Sequence, residues 1–360
     1  MTKYRVGVIG FGQMHITTMV NSFLEKPETF EFMGYADTKT DLVPLSSEGG
    51  THPAVRASIE KKCAPIKPYE TITDLLNDKP DLVIVASETC FHCEIICDAL
   101  NRGIHVIVEK PMAMTYNEAA MMCYAAKKSG AVFIINWPTA WFAPFRLIGE
   151  LGFSGIIGEV QRFSYTNAES LGPFSYGQNL TDEEKLHEWW YQRKYGGGGV
   201  MDYIGYGCNL SRWMLGEKAT GAFCMATNIA CQFADVEDHA TVILKFPHAR
   251  ALVEGTWATF ASGHIPTGPI LYGETGTLVT DRRGDNTVAL YDERHQHTAP
   301  KIFEAKPFEE GRRNLAEEFL YALKTGDMHP MLSPALNLDA MAAMDAAIRS
   351  CETGKMEVVK

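Results

Sequence analysis

The sequence predicts an α/β protein in two parts: a doubly wound parallel sheet over residues 1–137, and an α+β part with a large, mostly antiparallel open sheet over residues 138–360. Three observations predict it. As far as Asn136, short apolar runs alternate with helical patterns, the sign of parallel strands joined by helical crossovers. A G-x-G turn directly follows the first run. Beyond Gly158, long segments alternate apolar with polar residues between turn signals, which suits antiparallel strands with one covered face.

The elements follow in order. The apolar run Tyr4–Ile9 stops at glycines, and Met14, Met19, Val20 and Phe23 then recur at helical spacing, giving strand, tight turn and helix. A second strand fits "FEFMGYAD", with a short helix around Val55–Cys63. Helix "TITDLLND", strand "DLVIVAS", helix "HCEIICDALNRG", strand "IHVIVEK", helix "YNEAAMMCYAAKKSG" and strand "AVFIIN" complete the first part. The boundary falls near Asn136–Pro144. Strands are then expected in "EVQRFSYTNA", "KATGAFCMATNIACQ", "HATVILKF", "RALVEGTWATF" and "TVALYD". Helices are expected from Val200 to the stop at Gly216, and over Glu309–Lys324 and Ala335–Thr353.

Composition excludes several partners. A formal net charge of −11, without a run of lysine or arginine, argues against nucleic acid, which needs a clustered basic face. No apolar stretch reaches the roughly 18–20 residues of a membrane span, and the opening residues carry no charged leader before an apolar segment, so the expected compartment is the cytoplasm. The nine cysteines are scattered and odd in number, which reads as reduced thiols. Cys90, His92, Cys93 and Cys97 include a C-x-x-C at a helix start, but a zinc site needs a second pair, so no metal is expected.

The turn Gly10-Phe11-Gly12-Gln13-Met14 lies where a dinucleotide fingerprint belongs. Gly10 permits the tight turn and Gly12 lets the backbone approach a pyrophosphate at the helix N-terminus; His15 replaces the third glycine. Asp37 ends the second strand, placed to bond an adenosine ribose. The expected cofactor is therefore NAD, with NADP left open by Thr38 and Lys39. In Glu109-Lys110-Pro111, Lys110 stands just beyond a strand's carboxyl end, where ligands of open α/β sheets bind, and Pro111 restricts its backbone.

These residues together resemble the Gfo/Idh/MocA oxidoreductases. The resemblance rests on the G-x-G turn, on "DLVIVASETCFHCEIICDALNRGIHVIVEKPMA", on "GGGVMDYIGYGCNLSRWMLG", on "YGETGTL" and on the final helix ending "SCETGK". It implies a Rossmann domain followed by a domain whose open sheet face forms a homo-oligomer, dimer or tetramer. It also implies that Ser87, His92 and Glu109 line the cofactor and that Lys110 takes part in catalysis. The family pattern D-x-x-x-H appears here as Asp202-x-x-x-Tyr206, and "YGCN" is similar to the glucose-fructose oxidoreductase branch. Where the family usually shows a proline, this chain has Glu88.

On a helix, Asp202, Tyr206 and Asn209 share one face. Oxidising a secondary alcohol needs a base at the hydroxyl, and a nearby ammonium would lower a tyrosine from its ordinary value of about 10. Tyr206 is thus the expected proton-transfer group, Lys110 the polarising cation and Asp202 the orienter of a substrate hydroxyl, with Tyr206 and Lys110 interchangeable. Asn136, Trp137, Trp141, Trp190 and Arg193 are the expected substrate contacts, aromatic walls suiting a sugar or glycoside. The glycines 196–199 are expected to pass the backbone close to that substrate. The function expected is an NAD(P)-dependent dehydrogenase acting on a sugar or glycoside hydroxyl at C1 or at a ring position such as C3. The alternatives are a redox-neutral NAD-dependent glycosidase and a non-catalytic dinucleotide sensor.

Overall fold

A computed structural model describes residues 3–168, 180–259, 267–281, 284–295 and 297–360. The chain begins with β1 (Tyr4–Ile9), α1 (Ile16–Leu24), β2 (Phe30–Ala36), α2 (His52–Lys62), β3 (Lys67–Pro68), α3 (Ile72–Asn77) and β4 (Leu82–Val85). There follow α4 (His92–Asn101), β5 (His105–Glu109), α5 (Tyr116–Ser129) and β6 (Phe133–Asn136). Among the described residues these strands form a six-stranded parallel sheet in the order β3-β2-β1-β4-β5-β6. The order in which strands are added reverses between β1 and β4, and that switch point opens the crevice into which such sheets take ligands. The strands read as unbroken apolar runs because helices cover both faces; Val8, Ile84 and Ile107 are fully buried. The edge strand β3 gave no sequence signal, since two residues with a proline carry no readable period.

The second part continues with α6 (Ala143–Phe153), β7 (Val160–Ala168), α7 (Asp182–Leu186), α8 (Gly205–Met214), β8 (Gly221–Thr227), β9 (His239–Lys245) and β10 (Arg250–Thr256). It closes with β11 (Ile270–Gly273), β12 (Thr277–Val279), β13 (Thr287–Tyr291), β14 (Lys301–Glu304), α9 (Leu315–Thr325), α10 (Pro334–Thr353) and β15 (Glu357–Val358). Among the described residues a nine-stranded sheet runs β14-β13-β12-β11-β7-β10-β9-β8-β15, antiparallel except where β7 meets β10. Helices α6, α8 and α10 cover one face. The other face leaves Phe223, Met225, Ile243 and Leu252 partly exposed.

Two sequence expectations shift. The helix expected from Glu309 begins at Leu315, because Asn314 caps it by accepting the Glu317 N–H at 3.0 Å. The strand expected over 250–260 ends at Thr256, and residue 260 lies outside the described residues.

Helix α10 packs against α5 of the first sheet and α8 of the second. Its Asn337, 1% exposed, accepts Trp137 Nε1–H at 2.5 Å and an Asn209 amide N–H at 3.2 Å, and donates to Met331 O at 2.9 Å and Ser333 O at 2.8 Å. One buried amide therefore ties the segment after β6, α8 and the start of α10. Removing it strands two donors in an apolar interior, so Asn337→Ala is expected to lower stability by about 2–3 kcal/mol, measured by urea unfolding against the parent chain.

Candidate active site

Lys110 follows β5 at the carboxyl edge of the parallel sheet and is 1% exposed. Its Nζ lies 2.5 Å from Asp202 Oδ1 and 3.3 Å from the Asp202 backbone oxygen. The same ammonium stands 4.8 Å from the centre of the Tyr206 ring and 6.0 Å from that of Trp190. Behind it, Gln13 of the glycine turn donates to the Lys110 carbonyl at 3.2 Å. Burial by itself would push the ammonium toward its neutral form. The Asp202 carboxylate, helped by Tyr206 and Glu109, outweighs that cost and holds Lys110 above the ordinary lysine value. The pairing with Asp202 thus favours the charged form of Lys110 in spite of its burial.

Tyr206, 3% exposed, sits edge-on to Trp137 with ring centres 5.1 Å apart. The sequence expected a plain α-helix from Val200; the structure has a π-helical turn over Val200–Ile204 before α8 starts at Gly205. Such wide turns recur at functional sites, and here the turn carries Asp202 onto Lys110. Asn209 does not join them. It is fully buried, its amide donating to Met331 O at 3.1 Å and to Asn337.

The glycine run serves packing of the chain on itself. A Cβ on Gly197 would lie 2.2 Å from the Trp190 carbonyl oxygen, and one on Gly198, whose φ is +107°, 2.6 Å from Glu237 Oε1. A Cβ on Gly196 would meet Met114 and Thr89. These close approaches are to Trp190, Glu237, Thr89 and Met114, and they seat the π turn.

The cofactor-binding residues divide. Gly10 has φ +77° and a Cβ there would lie 2.5 Å from Ser87 Cα, so only glycine fits, with fully buried Ser87 filling the space beside it. A Cβ on Gly12 would sit 3.0 Å from the Glu88 nitrogen. A cavity of about 390 Å³ runs between Ile72, Ile95 and Phe91 with Asp37, Thr38 and Lys39 at its rim, apolar walls and a carboxylate that suit an adenine and its ribose. These features fit a dinucleotide. Met14 packs half-buried against the cluster around Trp189 and Trp190. Phe11 is fully buried edge-on to Tyr35 and His52, and so belongs to the core. His92 is also fully buried, its Nδ1 3.0 Å from Pro111 O and its Nε2 3.2 Å from Ser87 O, and burial lowers its pKa.

Glu109 points away from Lys110. Its carboxylate takes His15 Nδ1 at 2.8 Å and the Asn136 amide at 2.7 Å, and Asn136 accepts Trp141 Nε1–H at 3.1 Å. Asn136 and Trp141 thereby line a separate cavity of about 290 Å³ that includes His15 and Phe142. Of the expected substrate contacts, Trp190, Asp202 and Tyr206 surround Lys110, and Trp137 backs the Tyr206 ring. Arg193 stands apart, its side chain 62% exposed and bonded to Asp235 O and Glu237. Three residues beyond those expected close the groove. Trp189 Nε1–H donates to Gly12 O at 2.7 Å, and Glu88 and Glu188 are buried beside it. Burial pushes the Glu188 carboxyl up to about 7. Glu88 was marked in the sequence by the missing proline; Glu188 and Trp189 had no marker, since only the fold brings their segment over the turn. Among the described residues no cluster of His, Cys, Asp or Glu is arranged to hold a metal, and burial pushes the Cys90 and Cys93 thiols up to about 12.

Comparison with known proteins gives the same outline. A family model described as "Oxidoreductase family, NAD-binding Rossmann fold" matches residues 4–137, and one described as "GFO/IDH/MocA C-terminal domain" matches residues 145–279. A 1-carboxy-3-chloro-3,4-dihydroxycyclohexa-1,5-diene dehydrogenase of Comamonas testosteroni is 26% identical over 61% of this chain and 53% of its own length. A dTDP-3,4-didehydro-2,6-dideoxy-alpha-D-glucose 3-reductase of Streptomyces antibioticus is 25% identical over 90% of each chain. The solved aldose-aldose oxidoreductase of Caulobacter crescentus superposes with a TM-score of 0.76 at 19% identity, covering 99% of this chain and 100% of that one, a likeness of fold.

The ion pair has a pH signature. In the parent chain Lys110 titrates above its unfolded value, so folded and unfolded states both hold its proton below about pH 9 and Lys110 adds no slope there. Asp202→Asn removes the largest charge opposing burial, leaving Tyr206 and Glu109, and is expected to drop the folded pKa below the ordinary 10.5. The unfolded variant then binds a proton that the folded one has released, and its stability rises with pH. Urea unfolding is expected to show Asp202→Asn less stable by about 3–5 kcal/mol near pH 6, with the deficit shrinking toward pH 10.

Proposed function

The chain belongs to the Gfo/Idh/MocA oxidoreductase family, and from that premise we propose that it transfers hydride between a nicotinamide cofactor and a secondary hydroxyl of a sugar or glycoside. The observation that carries this reading is the buried Lys110–Asp202 pair against the Tyr206 ring, at the carboxyl edge of a sheet whose first turn fits a dinucleotide. Gly10, Gly12, Asp37 and the cavity between Ile72 and Ile95 would hold the cofactor. When bound, the nicotinamide supplies the acceptor and donor of hydride.

The chain's own residues manage the proton. Tyr206 takes the substrate hydroxyl's proton as the carbon is oxidised to a carbonyl, and returns it in the reverse direction. Lys110, held charged by Asp202, donates to the reacting oxygen and favours the tyrosinate through its fixed positive charge. Asp202 acts through Lys110, in place of the expected contact to a neighbouring hydroxyl. Trp137 and Trp190 supply aromatic walls for a pyranose. Trp190 Nε1–H is buried without a hydrogen-bond partner among the described residues, a donor ready for a ligand oxygen. Similarity to a relative acting at a sugar's 3 position supports a ring carbon over C1. The nine free cysteines suit the reducing cytoplasm.

The apolar patch of Phe223, Met225, Ile243 and Leu252 on the open sheet face supports a dimer or tetramer through that surface. Light scattering should give a multiple of the 40.0 kDa chain, and Ile243→Asp should return it toward monomer. A panel of sugars and glycosides, read by absorbance of the reduced nicotinamide, should find a substrate that accumulates NADH. With it, Tyr206→Phe is expected to lose about 10²–10⁴-fold in turnover while NADH binding stays within a fewfold. Normal turnover in that variant would remove Tyr206 from the role.

A further inference from the structure

Glu88 occupies the corner where the two cofactor landmarks of the parallel sheet meet. It follows β4, is 2% exposed, and its carboxyl carbon would lie 3.2 Å from a Cβ placed on Gly12. Its Oε2 accepts the Thr38 hydroxyl at 2.6 Å, and Thr38 directly follows Asp37. One side chain thus reaches from the glycine turn to the rim of the adenine-sized cavity.

The charges around Asp37 make it an ambiguous selector. Its Oδ1 accepts the Thr38 N–H at 2.9 Å and faces His52 Nε2 at 3.2 Å, and its Oδ2 lies 3.9 Å from Arg56 Nη1. A histidine, an arginine and the adjacent Lys39 would receive a 2′-phosphate as readily as they receive Asp37. Glu88 has less: among the described residues its side chain is bonded to the Thr38 hydroxyl and forms no ion pair, His52 acts on it only through space, and a further buried carboxyl, that of Glu188, lies on the covering segment.

We propose that Glu88 is the residue that restricts this groove to a dinucleotide with a free adenosine 2′-hydroxyl, NAD over NADP. The inference rests on the nicotinamide reading above and goes beyond it in naming the side chain that decides. A carboxylate in a groove with little water repels a phosphate dianion by far more than it would at an open surface, and a ribose hydroxyl can instead donate to it.

The test is direct binding of NADH and NADPH at pH 8 to the full-length chain, by calorimetry and by quenching of tryptophan fluorescence, to which Trp189 on the glycine turn contributes. Glu88→Gln keeps the shape and an acceptor for Thr38 while removing the charge; Glu88→Ala repeats the charge removal without needing the amide to fit. The parent is expected to bind NADH at least about tenfold more tightly than NADPH. In both variants the NADPH dissociation constant should fall at least about tenfold, with NADH within about threefold. The fragments 5′-AMP and 2′,5′-ADP should divide in the same way. Equal affinities in the parent, or NADH and NADPH constants that move together in the variants, would overturn the assignment of Glu88. A parent chain that binds neither dinucleotide would overturn the cofactor reading itself.

Discussion

An ammonium with 1% of its surface exposed persists inside a protein only where a carboxylate is brought to it, and Lys110 has Asp202 at 2.5 Å. The two come from different sheets. Lys110 ends a parallel strand of the first domain, and Asp202 rides a helical turn of the second. Neither charge could be buried with the domains apart, so the interface and the site form together. The aromatic rings of Tyr206 and Trp190 complete the shell by facing the same cation.

Several oddities of the second domain become one arrangement when seen from that pair. Residues 196–198 must be glycines because backbone and side chains of Trp190, Glu237, Thr89 and Met114 occupy the places of their side chains. This tight seating starts the helix in a π turn, which presents Asp202. Asn337 then fixes the far side, holding Trp137 and Asn209 so that Trp137 can buttress Tyr206. The site is rigid because its supports are buried amides and close backbone contacts.

The cofactor groove follows a different electrical rule from the catalytic end. Around Lys110 one cation is matched by one carboxylate at short range. Along the groove, Asp37 is balanced by His52 and Arg56, whereas Glu88 and Glu188 are kept from water without a full countercharge. Burial raises both of these carboxyls. The chain therefore carries a paired cation at Lys110 and buried carboxyls beside the glycine turn.

What the sequence determined by itself was whatever depends on local pattern. Alternating apolar runs gave the parallel strands, G-x-G after the first run gave the turn, and Lys110 was placed by its position after a strand. Each of these is written in consecutive residues, where strand and helix periods are visible. The tertiary structure decided what depends on distant segments meeting: that Asp202 pairs with Lys110, that Asn209 bonds Asn337 of α10, that His92 lies between carbonyls, and that Asn136 and Trp141 line another cavity with His15, to which Glu109 is bonded. A π turn adds a residue to one turn of helix and alters which side chains share a face, so spacing alone could not assign the partners. Glu88 shows the division most plainly. Its identity was visible in the chain, but its place between Gly12 and Thr38, buried from water, came only with folding.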